Sequence, residues 1–260
     1  MRPPVITVGF LMCSIAIGLG SEQRSDAHST PPVRPTPVVV ELFTSEGCSD
    51  CPPADDLLRK LERTQPVAGV EIIGLEEHVD YWDHLGWKDP FSSAGVTSRQ
   101  NNYAGLFHQD SVYTPQMVVD GLAQFVGSDA DQAEAQITRA ATLPQASVVV
   151  SDSGNNHVSV VVTSIPSYAA GSLRLLLAIT EEGLKSDVKR GENQGAILAH
   201  GSVVRSLTDL GPIDSRGKGE IVKSAGLYIA PNWNRARLRV VVFLQNAQTG
   251  AILGAGETRA

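Results

Sequence analysis

Apolar and polar positions divide the chain into two textures. In the first half, short apolar runs alternate with amphipathic stretches. "PVVVELFTS" (37–45) carries Val38, Val39, Val40, Leu42 and Phe43. Such a run, rich in β-branched residues, reads as a mostly buried strand. "PPADDLLRKLERTQ" follows, with Leu57, Leu58 and Leu61 on one helical face. Pro52 and Pro53 fit a first helical turn, and Asp55 and Asp56 fit its positive end. "VEIIGLEEHV" (70–79) is a second strand, so this region reads strand–helix–strand. The pattern further predicts a helix around 97–107 and a strand in "YTPQMVVDG" (113–121). That strand turns at Asp120-Gly121 into "LAQFVG", and "DADQAEAQITRAAT" (129–142) is a helix. Leu143-Pro144 marks a boundary.

From Ala146 the period becomes two. "ASVVVSDSGNNHVSVVVTSI" gives two alternating strands around a Gly-Asn-Asn turn. "GSLRLLLAITEE" and "ARLRVVVFLQNAQTGAILGAG" add more strands. The expectation is an α/β domain over 38–144, interrupted by an irregular segment at 80–112. An all-β, antiparallel sandwich-like domain follows over 145–260. No internal repeat of fixed period is present.

The first residues, "MRPPVITVGFLMCSIAIGLGSEQ", pair Arg2 with an apolar run and a small-x-small site at Gly18–Gly20. This is the pattern of a signal peptide over 1–20, and it predicts a periplasmic or secreted protein. Met12 before Cys13 does not fit a lipoprotein site. Residues 21–37 are polar and proline-rich and read as a disordered linker. No membrane span is expected once the leader is cut. A net charge of −7 without a basic block excludes nucleic acid as a natural partner.

Leader removal leaves two cysteines, Cys48 and Cys51, in a compartment that permits disulfides. A zinc site usually brings a second Cys-x-x-Cys or a paired histidine motif; no second Cys-x-x-Cys exists, and His78, His84 and His108 are the histidines that could complete a site. The metal alternative is copper or zinc held by Cys48, Cys51, His78 and His84. Otherwise no metal or cofactor is expected. A thiol at a helix start is favoured as thiolate, and a second thiol three residues on resolves a mixed disulfide. Cys48, further out on the turn, is the expected attacking thiol and Cys51 the resolving one. The partner is then a protein or small-molecule disulfide or thiol. A permanent staple is the third reading, but so short a loop yields little entropic stabilisation. A metal- or peptide-binding module stays open as the non-enzymatic reading. The absence of Gly-x-Ser-x-Gly counts against a catalytic triad.

"VVVELFTSEGCSDCPPAD" followed by "VYTPQMVVDG" resembles the thioredoxin-like fold. That resemblance implies a cis-proline at Thr114-Pro115 lying against the disulfide. Gly47 stands where thioredoxin has Trp, and Ser49-Asp50 replaces Gly-Pro. Asp50 opposes a thiolate, and Pro52 and Pro53 remove N–H donors. Both changes imply a less acidic Cys48 and a more reducing couple. Glu41 lies one residue off the position of thioredoxin's buried acid. More narrowly, "ELFTSEGCSDCPPAD", "HVDYWDHLGWKDPFSS", "RQNNYA" and "YTPQMVVDG" are similar to the exported DUF1223 family. The likeness continues more weakly through "RGENQGAILAH" and "VVRSL". It implies a thioredoxin-like assignment and no particular biochemical role.

Most aromatic residues crowd into 81–125. One reading is a recognition surface over the disulfide, with Tyr81, Trp82, Trp87 and Tyr113 offering apolar area and Arg99 and Gln100 orienting a polar group. The other is that these rings anchor a long loop to the sheet. In "KSDVKRGENQGAILAHGSVVRSL", the polar residues Arg190, Glu192, Asn193, His200 and Arg205 read as hydrogen-bonding groups between the two halves.

Overall fold

The structure is a computed structural model. It describes residues 1, 3–5, 9 and 34–260, except 168, 170 and 215–218. Most of the leader and most of the linker lie outside the described residues. Residues Arg34–Ala260 form one compact unit. Among the described residues no helix is long and apolar enough to cross a membrane.

The first strand, β1 (Thr36–Thr44), is buried on both faces from Val38 onward, as its apolar run predicts. Helix α1 (Pro52–Thr64) starts at the N-cap Cys51 with both prolines in its first turn. Strand β2 (Val70–His78) returns parallel to β1. Helix α2 (Ala94–Leu106) lies within the irregular segment and is capped by the Ser93 hydroxyl, which accepts from the Val96 N–H. A hairpin of β3 (Gln116–Val119) and β4 (Ala123–Val126) and helix α3 (Ala130–Ala141) complete this part.

The remaining strands are β5 (Ser147–Gly154), β6 (His157–Thr163), β7 (Leu173–Glu181), β8 (Lys185–Asp187) and β9 (Ile197–Ala199). They are followed by β10 (Val203–Ile213), β11 (Ile221–Gly226), β12 (Leu238–Asn246) and β13 (Ile252–Arg259).

The expected succession of a thioredoxin-like α/β domain and a separate β-sandwich does not form. The chain is mostly β, and its main sheet is one mixed eight-stranded sheet. Its order is β13-β12-β7-β10-β2-β1-β3-β4. The seam is β10, which pairs antiparallel with β7 and, at Val203, parallel with Glu76 of β2. A parallel partner so far along the chain leaves no local pattern, so periodicity alone splits what the sheet joins. The smaller sheet, β11-β6-β5, packs on the β7–β12–β13 region. Val158, Val160 and Val162 there meet Leu175, Leu177, Val240 and Val242.

The two faces of the main sheet hold different cores. Val38, Val40 and Leu42 meet α1 and α3, with Leu58 and Ile137 between them. Val39, Ile73 and Leu75, on the opposite face, meet Ala178, Val204, Val241, Phe243 and Ile252. This second core joins strands from both halves. Phe243→Ala there is expected to cost about 3–5 kcal/mol. Urea unfolding should remain one transition followed equally by fluorescence and circular dichroism. Two separated transitions would show that the halves fold independently.

Asp120 closes the curl of the sheet. Its N–H donates to the Val39 carbonyl (2.9 Å), and its Oδ1 accepts from the Val39 N–H (2.8 Å). Its own carbonyl accepts from Ile252 N–H of β13 (2.8 Å). Gly121 next to it has φ +62°, and a Cβ there would fall on the Gly250 carbonyl oxygen, so glycine is required. Burial, partly offset by the Val39 N–H and reinforced by Glu41, pushes the Asp120 carboxyl up to about 8. An unfolded aspartate ionises near about 3.9. Between these values the folded chain holds a proton that the unfolded chain has lost. This group therefore lowers stability as pH rises from about 4 to about 8, by at most about 1.4 kcal/mol per pH unit. Asp120→Asn should flatten the profile of stability against pH in that window. An unchanged profile would mean that Asp120 is ionised in the fold.

Candidate functional site

Cys48 and Cys51 form a disulfide with a Cα–Cα separation of 5.4 Å. The turn is held by Cys48 N–H on the Ser45 carbonyl (3.1 Å) and Cys51 N–H on the Cys48 carbonyl (3.3 Å). A groove of about 410 Å³ runs beside it. Ser49, Asp50 and Pro53 of the cysteine turn line the groove together with Tyr113, Thr114 and Pro115. The Thr114–Pro115 peptide is cis. Gly127 N–H donates to the Pro115 carbonyl (2.9 Å), and a Cβ at Gly127 would lie 3.2 Å from Pro115 Cβ and 2.6 Å from Leu42. The two turns therefore share one wall of a concave surface.

Both cysteines are covered, at 1% and 0% exposure. The space above Gly47 is taken by Trp82, whose Cβ is 3.1 Å from where a Gly47 Cβ would sit. The Trp82 indole N–H donates to Thr114 Oγ1 (2.9 Å) and so ties the two turns together. A strap between β8 and β9 crosses the turn. Asn193 Nδ2 donates to the carbonyls of Glu46 and Cys48, each at 2.9 Å. Glu192 Oε2 accepts from Ser49 N–H (3.1 Å) and Ser49 Oγ (2.7 Å).

Next to this turn lies a buried polar cluster. Strand β2 alternates, so Glu76 and His78 share one face and Glu77 takes the other. His78 Nδ1 pairs with Asp89 Oδ2 (2.7 Å) and its Nε2 with Glu76 Oε1 (3.3 Å). His200, between β9 and β10, places Nδ1 on the same Glu76 Oε1 (2.6 Å) and Nε2 on Glu46 Oε1 (3.1 Å). Glu76 Oε2 accepts from Gly201 N–H (2.6 Å). Trp87 indole N–H donates to Glu46 Oε2 (2.7 Å). Burial opposes charge on Glu76, yet the two imidazoles outweigh it and hold that carboxyl down near about 2. The same carboxylates outweigh burial at the rings. Asp89 and Glu76 hold His78 well above the usual range, and Glu46 and Glu76 hold His200 at about 9. Burial, reinforced by Glu76, raises Asp55 to about 7 despite the Thr44 hydroxyl at 2.6 Å.

Of the residues expected at the site, Tyr113, Thr114 and Pro115 line the groove, and Cys48 and Cys51 lie buried behind the turn that forms its other wall. Tyr81, Trp82 and Trp87 are half-buried, and their polar atoms go to Gln100, Thr114 and Glu46. Gln100 is fully buried and donates to the Tyr113 carbonyl (2.7 Å), which fixes the start of the proline turn. Arg99 is elsewhere, on the α2 face. It donates to Glu41 (2.5 Å) and Gln245 (3.1 Å), and Tyr103 hydroxyl donates to the other Glu41 oxygen (2.6 Å). Glu41 therefore pairs with Arg99 rather than facing the disulfide. A larger cleft, about 540 Å³, opens beside Arg99. Its charged groups already pair, Arg99 with Glu41 and Arg174 with Asp209.

The metal set Cys48, Cys51, His78 and His84 does not assemble. The sulfurs are bonded to each other, His78 is turned to Glu76 and Asp89, and His84 is exposed. Among the described residues, the ligand atoms that converge belong to Glu76, His78 and His200, all within 4.8 Å of one another. Sequence reading missed Glu46, Glu76 and Asp89 as partners. The alternation "EEH" in a strand otherwise apolar was the available signal. Of the loop residues, Glu192, Asn193 and His200 do bond to the first half, as expected of groups between the halves.

The family described as proteins of unknown function, DUF1223, matches residues 39–245. The chain belongs to the DUF1223 family. It is similar to a crystal structure of a protein from Agrobacterium tumefaciens, with 27% identity and a TM-score of 0.69. That match covers 86% of this chain and 94% of the other. It is also similar to HBP35 of Porphyromonas gingivalis, with 14% identity, a TM-score of 0.65, and 86% and 75% of the two chains covered. The second likeness concerns the fold alone. No curated protein matches the chain.

In this DUF1223 chain the strap should limit access to the disulfide. Asn193→Ala removes two hydrogen bonds, about 1–2 kcal/mol together. If reduction requires the strap to open, dithiothreitol should reduce the variant roughly tenfold faster, followed by thiol labelling. An equal rate would show that the strap does not gate the sulfurs.

Proposed function

We propose that the Cys48–Cys51 pair is the redox centre of an exported thiol–disulfide exchange protein. In the reduced state, the Cys48 thiolate attacks one sulfur of a substrate disulfide. The substrate S–S bond breaks, a mixed disulfide forms, and the first substrate thiolate leaves with a proton. Cys51 then attacks the Cys48 sulfur, restores the Cys48–Cys51 bond and releases the second substrate thiol. Two electrons pass to the substrate and the pair ends oxidised. The reverse sequence oxidises a dithiol.

The observation that carries this reading is the shared groove. Ser49, Asp50 and Pro53 of the cysteine turn and Tyr113, Thr114 and Pro115 of the proline turn line one concave surface. An extended segment of a protein substrate laid there lies against the turn that carries the disulfide, and the buried sulfurs become accessible when the strap at Asn193 opens. A purely structural staple is the weaker account. Closing so short a loop contributes only about 2 kcal/mol by chain entropy, against about 4.7 kcal/mol for a loop of about 100 residues.

Equilibration of the purified chain with thiol–disulfide buffers tests the proposal. A potential between about −270 and −120 mV is expected, toward the reducing end because Asp50 and the two prolines disfavour thiolate at Cys48. Cys51→Ser should accumulate a mixed disulfide at Cys48. A potential below about −300 mV, typical of structural bridges, with no trapped adduct, would overturn it.

A further inference from the structure

We propose that Glu76, His78 and His200 form a binding site for a divalent transition-metal ion of the zinc class, held independently of the two cysteines. The proposal does not rest on the redox reading, because no sulfur takes part.

The orientation of the two imidazoles carries it. Each has one nitrogen on an outer carboxylate, His78 Nδ1 on Asp89 (2.7 Å) and His200 Nε2 on Glu46 (3.1 Å). A metal-bound histidine characteristically donates its second N–H to a carboxylate in this way, which fixes its tautomer and its aim. The inner nitrogens, His78 Nε2 and His200 Nδ1, then point at one oxygen, Glu76 Oε1. Neutral imidazoles so placed turn two lone pairs toward an anionic oxygen. Positive charge has to sit between them, as protons or as a cation. Three buried carboxylates, Glu46, Glu76 and Asp89, face these two rings. A dication suits that excess of negative charge.

The spacing is close to a coordination sphere. Zinc bonds of about 2.0–2.2 Å at tetrahedral angles hold ligand atoms about 3.3 Å apart. His78 Nε2 and Glu76 Oε1 stand at 3.3 Å, and His200 Nδ1 at 2.6 Å from the same oxygen. All three ligand atoms lie within 4.8 Å of one another, so coordination requires His200 to move off Glu76 Oε1 while the rings keep their outer partners. Glu76 Oε2 is already fixed by Gly201 N–H, so the carboxylate offers one oxygen inward. A cleft of about 420 Å³, lined by Glu62, His200, Gly201 and Ser202 together with Arg59, Arg63 and Arg239, reaches His200 at the edge of the cluster. Two imidazoles and one carboxylate leave a fourth position for water, which is the pattern of open zinc sites.

Titration of the oxidised full-length chain with cobalt(II), followed by visible absorption, and then with zinc(II) as competitor, tests the site. One equivalent of cobalt(II) with a tetrahedral spectrum, displaced by zinc(II), is expected. His78→Ala and His200→Ala should each weaken binding at least tenfold. Glu46→Gln leaves all three ligands in place and should weaken it about 10–100-fold through the lost outer carboxylate. The Cys48→Ser/Cys51→Ser variant should bind as the unaltered chain does, which separates this site from the redox proposal. A wild-type chain that binds neither ion stoichiometrically would overturn the proposal and leave protons as the bridging charge. So would binding that survives His200→Ala and is lost in the double serine variant. If an alanine variant fails to fold, the wild-type titration and Glu46→Gln decide the matter.

Discussion

The carboxylate of Glu76 is the constraint around which the two halves of the chain are assembled. It is fully buried at the seam between β2 and β10. Its backbone N–H donates to the Ser202 carbonyl (2.9 Å), and its side chain receives Gly201 N–H and both imidazoles. A buried carboxylate without partners is strongly unfavourable, and breaking such a pair costs about 3–5 kcal/mol. The segment from His200 to Val203 is therefore held where β10 can extend the sheet. One residue sets both the continuity of the sheet and the geometry of the histidine cluster.

The aromatic segment follows from the same organisation. Its rings are braces as much as surface. Trp82 spans the cysteine and proline turns, and Trp87 fixes Glu46 between the disulfide turn and His200. Asp89 has two tasks, since its Oδ2 contacts both His78 Nδ1 and Glu46 N–H at 2.7 and 2.8 Å. The disulfide turn and the histidine cluster are thus mechanically joined through Glu46, two residues before Cys48. A movement of the strap at Asn193 acts on that same backbone, because Asn193 holds the Glu46 and Cys48 carbonyls together.

The period of two along β1 and β2 separates two kinds of polar burial. On one face, Thr44, Glu76 and His78 meet Asp55, His200 and Asp89. On the other, Glu41 and Glu77 meet Arg99 and Tyr103 from α2. Burial and the neighbouring Glu41 push the Glu77 carboxyl well up, while Arg99 works against them. Arg99 and Glu41, with Tyr103 and Gln245 around them, form a bonded network that anchors α2, and such networks specify one packing when every member is satisfied.

What the sequence determined by itself was local. The strand at 36–44, the prolines opening α1 and the cysteines at its cap all follow from apolar period and backbone chemistry, which act over a few residues. The hairpin at Asp120-Gly121 has the same origin. The disulfide was legible too, because two cysteines three positions apart at a helix start have few other partners. Only the tertiary structure decided the rest. The joining of β10 to β2 made one sheet from what reads as two domains, and it carried His200 onto Glu76 from 124 positions away. The docking of α2 on β1 placed Arg99 on Glu41 rather than at the disulfide. These outcomes depend on long-range strand pairing and on the need of buried charges for partners. The "EEH" alternation in β2 marks buried charges, but the identity of their distant partners leaves no trace in the spacing of neighbouring residues.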